Sequence, residues 1–234
     1  LKTGLWQGKE VENFVLPGIK DRYGNLGKDR IISMDYWLEF LGYYLSEGSF
    51  TKTDRKDYLV QLRQFKSIDV FATVFSHVTP NSVNVKAKDG RILCNDIQLV
   101  SYLEQFGRKN EKFIPRELLQ LSVRQLKILY SALMLGDGHY SGNKGGAYYT
   151  TCSIKLRDDF QELLLKLGYS GSYTNVSNVF DLDDYTNYST GVWSEVHDPG
   201  NNVYINPTTH SVDYLTPSIS FIGEKLLTYT DSSI

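Results

Sequence analysis

The sequence predicts an α+β protein built of two related halves. Segments with helical and strand-like hydrophobic spacing alternate along the whole chain. One helix-end pattern (small residue, three residues, small residue, acid, glycine) occurs twice at a fixed spacing. The 234 residues are 41% hydrophobic, which suits one large domain or two fused small ones with a real core.

Residues 1–32 are rich in Gly, Asn and charge, with turn signals at Pro17-Gly18 and Tyr23-Gly24-Asn25-Leu26-Gly27, and read as a partly ordered lead-in arm. Ser33 or Asp35 is placed to cap a helix from about Tyr36 to Leu45, whose Leu38, Leu41, Gly42 and Leu45 share one face. Tyr58 to Phe65 is strand-like by its β-branched and aromatic content, and Ile68 to His77 is helical. Ser82 to Lys88 alternates strictly, with Asn84, Lys86 and Lys88 on the polar side, and Asp89-Gly90 is a strong hairpin turn into Arg91–Cys94. Ile97 to Phe106 is a helix stopped by Gly107.

The order then recurs. Ser122 caps a helix from Val123 to Leu135, followed by a strand from Tyr148 to Ile154, a helix from Leu156 to Leu167, and a strand from Ser172. Beyond Asp181, turn formers and tyrosines leave only loosely placed strands at 191–196, 203–205 and 219–222. The expected organisation is an arm over 1–32, a first half over 33–116 and a second half over 117–234.

Composition narrows the function. No apolar run reaches the roughly 18 residues of a membrane span, and Leu1-Lys2-Thr3-Gly4 shows no signal pattern. Cys94 and Cys152 are too few for a disulfide framework or a four-thiolate zinc site, and both read as buried small hydrophobes. His77, His139, His197 and His210 have no zinc-ligand spacing. The net charge of −2 hides an asymmetry: residues 1–116 carry 18 Lys+Arg against 14 Asp+Glu, and residues 117–234 carry 7 against 13. A basic first half is the kind of surface that meets nucleic acid.

The repeated helix ends carry the chemistry. Phe40 to Gly48 lies over Tyr130 to Gly138 at a constant offset of 90, matching Gly42 with Ala132, Ser46 with Gly136, Glu47 with Asp137 and Gly48 with Gly138. Small residues four apart share a helical face and let two backbones approach closely. Packing these helices together delivers Glu47 and Asp137 to one place. There each meets a like charge and the negative end of a helix dipole. A hard divalent cation resolves that conflict, and its bound water can attack a phosphodiester.

At these residues the sequence resembles the LAGLIDADG, or dodecapeptide, homing endonucleases, on their intein and phage-like branch. The motif copies are Leu41-Gly-Tyr-Tyr-Leu-Ser-Glu-Gly48 and Ser131-Ala-Leu-Met-Leu-Gly-Asp-Gly138. Glu111-Lys112-Phe113-Ile114-Pro115 resembles the family's K-x-I-P block, and Ser153 to Gly168 its following helix block. The likeness covers about residues 36–170. It implies an αββαββα unit used twice, packed through the motif helices, each unit with a saddle-shaped antiparallel sheet in the DNA major groove. It implies site-specific cleavage of double-stranded DNA with Mg²⁺ or Mn²⁺ on Glu47 and Asp137, helped by the Ser46 and Gly136 carbonyls. It also implies a catalytic lysine, carried over to Lys112. The corresponding lysine of the second half has no convincing candidate; Lys144, Lys155, Lys166 and Lys225 are available, with Lys225 only a guess. A monomer on a long target site is expected, inside the cell wherever the host DNA lies, with no membrane partner. Termini at Leu1 and Ile234 do not supply the residues of protein splicing, so an excised intein domain and a free-standing enzyme both stay open.

For DNA contact, Lys52, Arg55, Gln61, Arg63, Lys66, Asn84, Lys86 and Lys88 are the candidates in the first half, and Tyr149, Thr151 and Ser153 in the second. After residue 170, eight acids face one cation, Lys225, so this stretch is expected to lie away from DNA or against the basic half. The competing reading is a degenerate family member that binds DNA, or acts as an RNA maturase, without cutting. An aspartic-protease dyad is disfavoured because its acids follow strands, whereas these end helices.

Overall fold

Two helices lined with small residues form the centre of the molecule. In the computed structural model, which describes residues 6–20, 23–53, 58–141, 146–176, 194–198, 201–205 and 218–222, α1 (Met34–Glu47) packs along α4 (Val123–Asp137). This is the most extensive contact between any two elements among the described residues. A Cβ added to Gly42 would collide with Ala132, and one added to Gly136 would collide with Ser46. The helices approach closely because those positions lack bulk, as the sequence spacing predicts.

Each helix runs directly into an antiparallel sheet. The first contains β3 (Gly48–Lys52), β4 (Tyr58–Arg63), β5 (Asn84–Lys86) and β6 (Arg91–Asn95), in the order β3-β4-β6-β5. The second contains β7 (Gly138–Ser141), β8 (Gly146–Thr151), β9 (Ser172–Val176) and β12 (Ser218–Ile222), in the order β7-β8-β12-β9. The registers correspond as well. Gly48 pairs with Leu62 where Gly138 pairs with Tyr149, and Arg63, Arg91 and Lys86 stand in one cross-strand row where Thr150, Ser220 and Thr174 stand in the other. The fold is therefore α+β with two pseudo-symmetric halves.

The remaining helices cover the inner faces of the sheets. In the first half these are α2 (Ile68–Val78) and α3 (Ile97–Leu103), and in the second α5 (Ile154–Lys166). Capping explains where several helices start: Ser122, Asp96 and Ser153 accept from the amides of Gln125, Leu99 and Leu156. Ser33 occupies the N-cap of α1 but makes no side-chain cap bond, and Asp35 lies in its first turn. The core joins both halves, with Trp37, Phe40, Tyr44, Phe71, Phe75 and Phe106 on one side and Leu129, Leu133, Tyr149 and Phe160 on the other.

Several expectations change. The lead-in arm pairs β1 (Asn13–Leu16) with β2 (Arg30–Ser33), buries Leu16, and stacks Phe14 on Trp37 at 3.9 Å. The alternation over 82–88 yields only the short β5, because Ala87–Asp89 closes as a 3₁₀ turn with Gly90 at φ 61°. Cys94 is buried in β6 as expected, whereas Cys152 lies beyond the end of β8 and is half-buried. Between β9 and β12 a further hairpin appears, β10 (Ser194–Asp198) with β11 (Asn201–Ile205), where the first half has only the short turn from β5 to β6. No helix among the described residues is long and apolar enough to cross a membrane.

Candidate active site and nucleic-acid interface

The ends of α1 and α4 place Glu47 and Asp137 together at the base of the two sheets. A Cβ on Gly136 would stand 3.7 Å from Glu47 Cγ, which brings one acid against the neighbouring turn of the other helix. The glycines that follow are not sharp-turn residues, because Gly48 and Gly138 are extended (φ −94° and −87°). Their requirement is steric: a Cβ there would enter the preceding turn at Tyr44 or Met134. Helix passes into strand without a loop, so each carboxylate is fixed at a rigid junction.

Lys112 completes the cluster. It is buried, and its ammonium donates to the Tyr44 carbonyl at 2.7 Å and the Gly48 carbonyl at 2.8 Å, the open end of α1. Its own segment is held by the second half: Ser153 Oγ donates to the Lys112 carbonyl at 2.5 Å, and the Ile114 amide donates to Asp159 at 2.8 Å. The connection between the halves, anchored in the second half, thus holds a cation at the open end of α1. Burial pushes the Lys112 ammonium down to about 8, opposed by the negative charges of Asp137 and Glu47. Burial likewise pushes the Asp137 carboxyl up to about 6, opposed by Lys112. Asp137 retains some exposed surface, but its carboxyl is closely enclosed by protein.

One contact here is not readable from the repeat. The Tyr149 hydroxyl lies 3.2 Å from Ser46 Oγ, and Ser46 Oγ also donates to the Leu133 carbonyl at 3.3 Å. Burial, followed by the nearby charge of Asp137, raises the Tyr149 phenol well above its ordinary range. Its register partner in the first half is Leu62, which has no hydroxyl, so this polar link is special to the second half.

The donor set at the junction is two carboxylates with backbone oxygens nearby. No group of three His, Cys, Asp or Glu side chains forms among the described residues. An all-oxygen, two-carboxylate set suits a hard cation that completes its shell with water and phosphate, as Mg²⁺ does.

The outer face of the first sheet carries much of the expected polar surface. Val60, Leu62, Ile92 and Cys94 are buried, so Gln61, Arg63, Arg91 and Leu93 point away from the core, with Ser49 and Asn84 in the Gln61 row. Lys66 and Lys88 are exposed at the sheet's end and turn. Lys52 is tied to Glu104 at 2.6 Å, and Arg55 lies outside the described residues. Arg91 was not singled out by the alternation, although its pairing with Arg63 places it centrally.

In the second half the expected parity is inverted. Tyr149, Thr151 and Ser153 are buried; Ser153 caps α5, and Tyr149 reaches Ser46 at the junction of the two helix ends. Pairing of Tyr149 with Gly138 turns its side chain inward and leaves Tyr148 and Thr150 half-exposed on the other face, with His139 opposite Tyr148. Among the second-half lysine candidates, Lys155 lies over Phe113 and Lys166 bonds to the Leu119 carbonyl. Lys144 and Lys225 lie outside the described residues, as does most of the acidic stretch after 176.

The profile of the family described as a LAGLIDADG-like domain matches residues 129–186, the stretch that contains the second helix end and strands β7, β8 and β9. Over that stretch the chain is similar to the LAGLIDADG family. It is 29% identical over 198 residues to an ATP-dependent Clp protease proteolytic subunit of Chlamydomonas moewusii, covering 76% of this chain and 19% of that protein. It is 24% identical over 212 residues to a DNA-directed RNA polymerase subunit beta C-terminal section of Stigeoclonium helveticum, covering 73% and 19%. A replicative DNA helicase DnaB of Synechocystis sp. is 35% identical over 96 residues, covering 38% and 11%. The chain thus spans about a fifth or less of the length of the curated relatives it matches. Among solved structures, mesophilic variants of the homing endonuclease I-DmoI share its fold with a TM-score of 0.50 at 10% identity, over 82% of this chain and 89% of theirs. An I-DmoI variant in complex with its target DNA and manganese gives a TM-score of 0.50 at 11% identity, over 81% and 87%.

Proposed function

We propose that this chain is a site-specific endonuclease of double-stranded DNA. The observation that carries this reading is the junction itself: Glu47 and Asp137 at two pseudo-symmetric helix ends, with the buried Lys112 held at the end of α1 beside them and a sheet following each helix. Glu47 and Asp137, with the Ser46 and Gly136 carbonyls, would hold a divalent cation, Mg²⁺ or Mn²⁺. The fit rests on two carboxylates brought to adjoining helix ends beside backbone oxygens, an all-oxygen donor set. When bound, the cation supplies an activated water to a phosphodiester. Lys112, fixed by two carbonyls, offers its charge to the phosphate as negative charge develops there. The sheets hold the duplex and select its sequence.

The chain matches about a fifth of each of two proteins whose names share no activity. That pattern supports an element inserted into unrelated hosts, as an intein-borne endonuclease is. With both halves in one chain, it acts as a monomer wherever the host DNA lies.

The experiment is cleavage of a randomised duplex library with Mg²⁺ and with Mn²⁺, comparing wild type with Glu47→Gln, Asp137→Asn and Lys112→Met. Cleavage that either acid substitution abolishes, and that Lys112→Met cuts by about a hundredfold or more, supports the reading. Selective binding without cleavage would instead make the chain a DNA-binding member of the family.

A further inference from the structure

The cross-strand rows of the two sheets differ in a way that bears on which DNA the chain selects. Gly48, directly after Glu47, pairs with Leu62, so the row formed by Arg63, Arg91 and Lys86 lies at the catalytic end of the first sheet. Arg63 and Lys86 are exposed, and Arg91 is half-exposed. The three cations gather about one carboxylate. Arg91 donates to Asp89 at 2.5 Å, and Asp89 is held below its ordinary range by Arg91 first, then by Lys86 and Arg63. Two residues further from the centre, about 7 Å along the strands, the row is Ser49, Gln61, Leu93 and Asn84.

The equivalent row in the second sheet is Thr150, Ser220 and Thr174. Three hydroxyl residues stand where three cations stand in the first. The next row there, His139, Tyr148, Ile222 and Ser172, contains no lysine, arginine, asparagine or glutamine. In the major groove an arginine pairs with guanine O6 and N7 through two hydrogen bonds. Serine and threonine hydroxyls accept or donate to any base and discriminate weakly.

We propose that Arg63 and Arg91 specify guanines beside the cut in the half-site under the first sheet, and that the mirror positions of the other half-site carry no such selection. The occupant of this face is the major groove of duplex DNA, for which the cation row is complementary in charge and continuous with the catalytic junction. This rests on the reading of the chain as a sequence-selective DNA endonuclease. Its consequence is directional: the target is asymmetric at its centre, and the arginine row fixes which way round the protein sits.

The test is selection of bound duplexes from a randomised library by the full chain, wild type against Arg63→Met, Arg91→Met and Thr150→Val, each checked for folding by circular dichroism. Both arginines are at the surface, so their loss leaves the core intact. The expected wild-type profile has guanines on one side of the motif centre only. Each arginine substitution flattens its own guanine preference by about 5- to 150-fold and leaves the other half-site unchanged. Thr150→Val leaves the guanine positions as they are. Selective binding with no central guanine, with guanines at both mirror positions, or with a profile unmoved by the substitutions overturns this inference and spares the endonuclease reading. Absence of any selective binding or cleavage by the folded chain overturns both.

Discussion

Asp137 stands under two opposed demands, and its pH behaviour should reveal them. Its carboxyl rises from the ordinary 3.8 to about 6 because burial disfavours the charged form more than Lys112 favours it. Across that interval the folded protein retains a proton that the unfolded chain has released. Stability therefore falls as pH rises through the window. The loss at neutral pH is up to about 3 kcal/mol, less what water screens at the exposed rim of the site. We expect Asp137→Asn, without added metal, to melt above wild type at neutral pH, with the gap closing as pH falls into the ordinary carboxylate range. Added Mg²⁺ should raise the wild-type melting temperature and leave the variant unchanged. Equal melting temperatures at neutral pH would show that the carboxyl carries no burial penalty.

At the scale of elements, the interface between α1 and α4 depends on absent side chains. Gly136→Ala places a Cβ against Ser46, and Gly42→Ala places one against Ala132. Each should lower stability in urea unfolding by about 1–3 kcal/mol, the usual cost of overpacking. Pairing Gly136→Ala with Ser46→Gly should recover part of the loss; strict additivity in that cycle would mean the two positions do not meet. This interface was legible in the sequence because small residues four apart have one meaning on a helix. The second-sheet face was not. Along Tyr148-Tyr149-Thr150-Thr151 both parities offer one tyrosine and one threonine, so alternation carries no information. The choice is made by the partner strand, through the pairing of Tyr149 with Gly138. The same pairing directs the Tyr149 hydroxyl to Ser46, which no single-strand reading could find.

At the scale of the molecule, the halves are joined three times among the described residues: by the motif helices, by the connection carrying Lys112, and by the N-terminal arm. The arm was unreadable as a joint because most of its bonds use backbone groups, which every sequence has. Lys9 brackets the start of α4, donating from its amide to the Gln120 carbonyl and accepting from the Ser122 amide. Val11 exchanges two hydrogen bonds with the buried Gln125 side chain, and the Trp6 indole donates to the Leu121 carbonyl at 2.8 Å with Lys166 over its ring. The chain then crosses to the first half, where Met34 donates to the Glu12 carbonyl and Phe14 packs on Trp37. Arg124 ties Glu10 to Asp35, so the start of α4 is linked to the start of α1 at the end opposite the active site. Removing residues 1–12 should therefore cost about 3–5 kcal/mol, from several part-buried hydrogen bonds worth about 1 kcal/mol each and the covering by Trp6. It should also raise hydrogen exchange over residues 121–126 more than over β3 and β4. Gln125→Met, which removes the exchange with Val11 and the bond to Asp35, should give a smaller loss in the same direction. An unchanged urea midpoint for the truncated chain would mean that the arm rests on the two halves without holding them, and that the helix interface and the connection carrying Lys112 set the distance between Glu47 and Asp137.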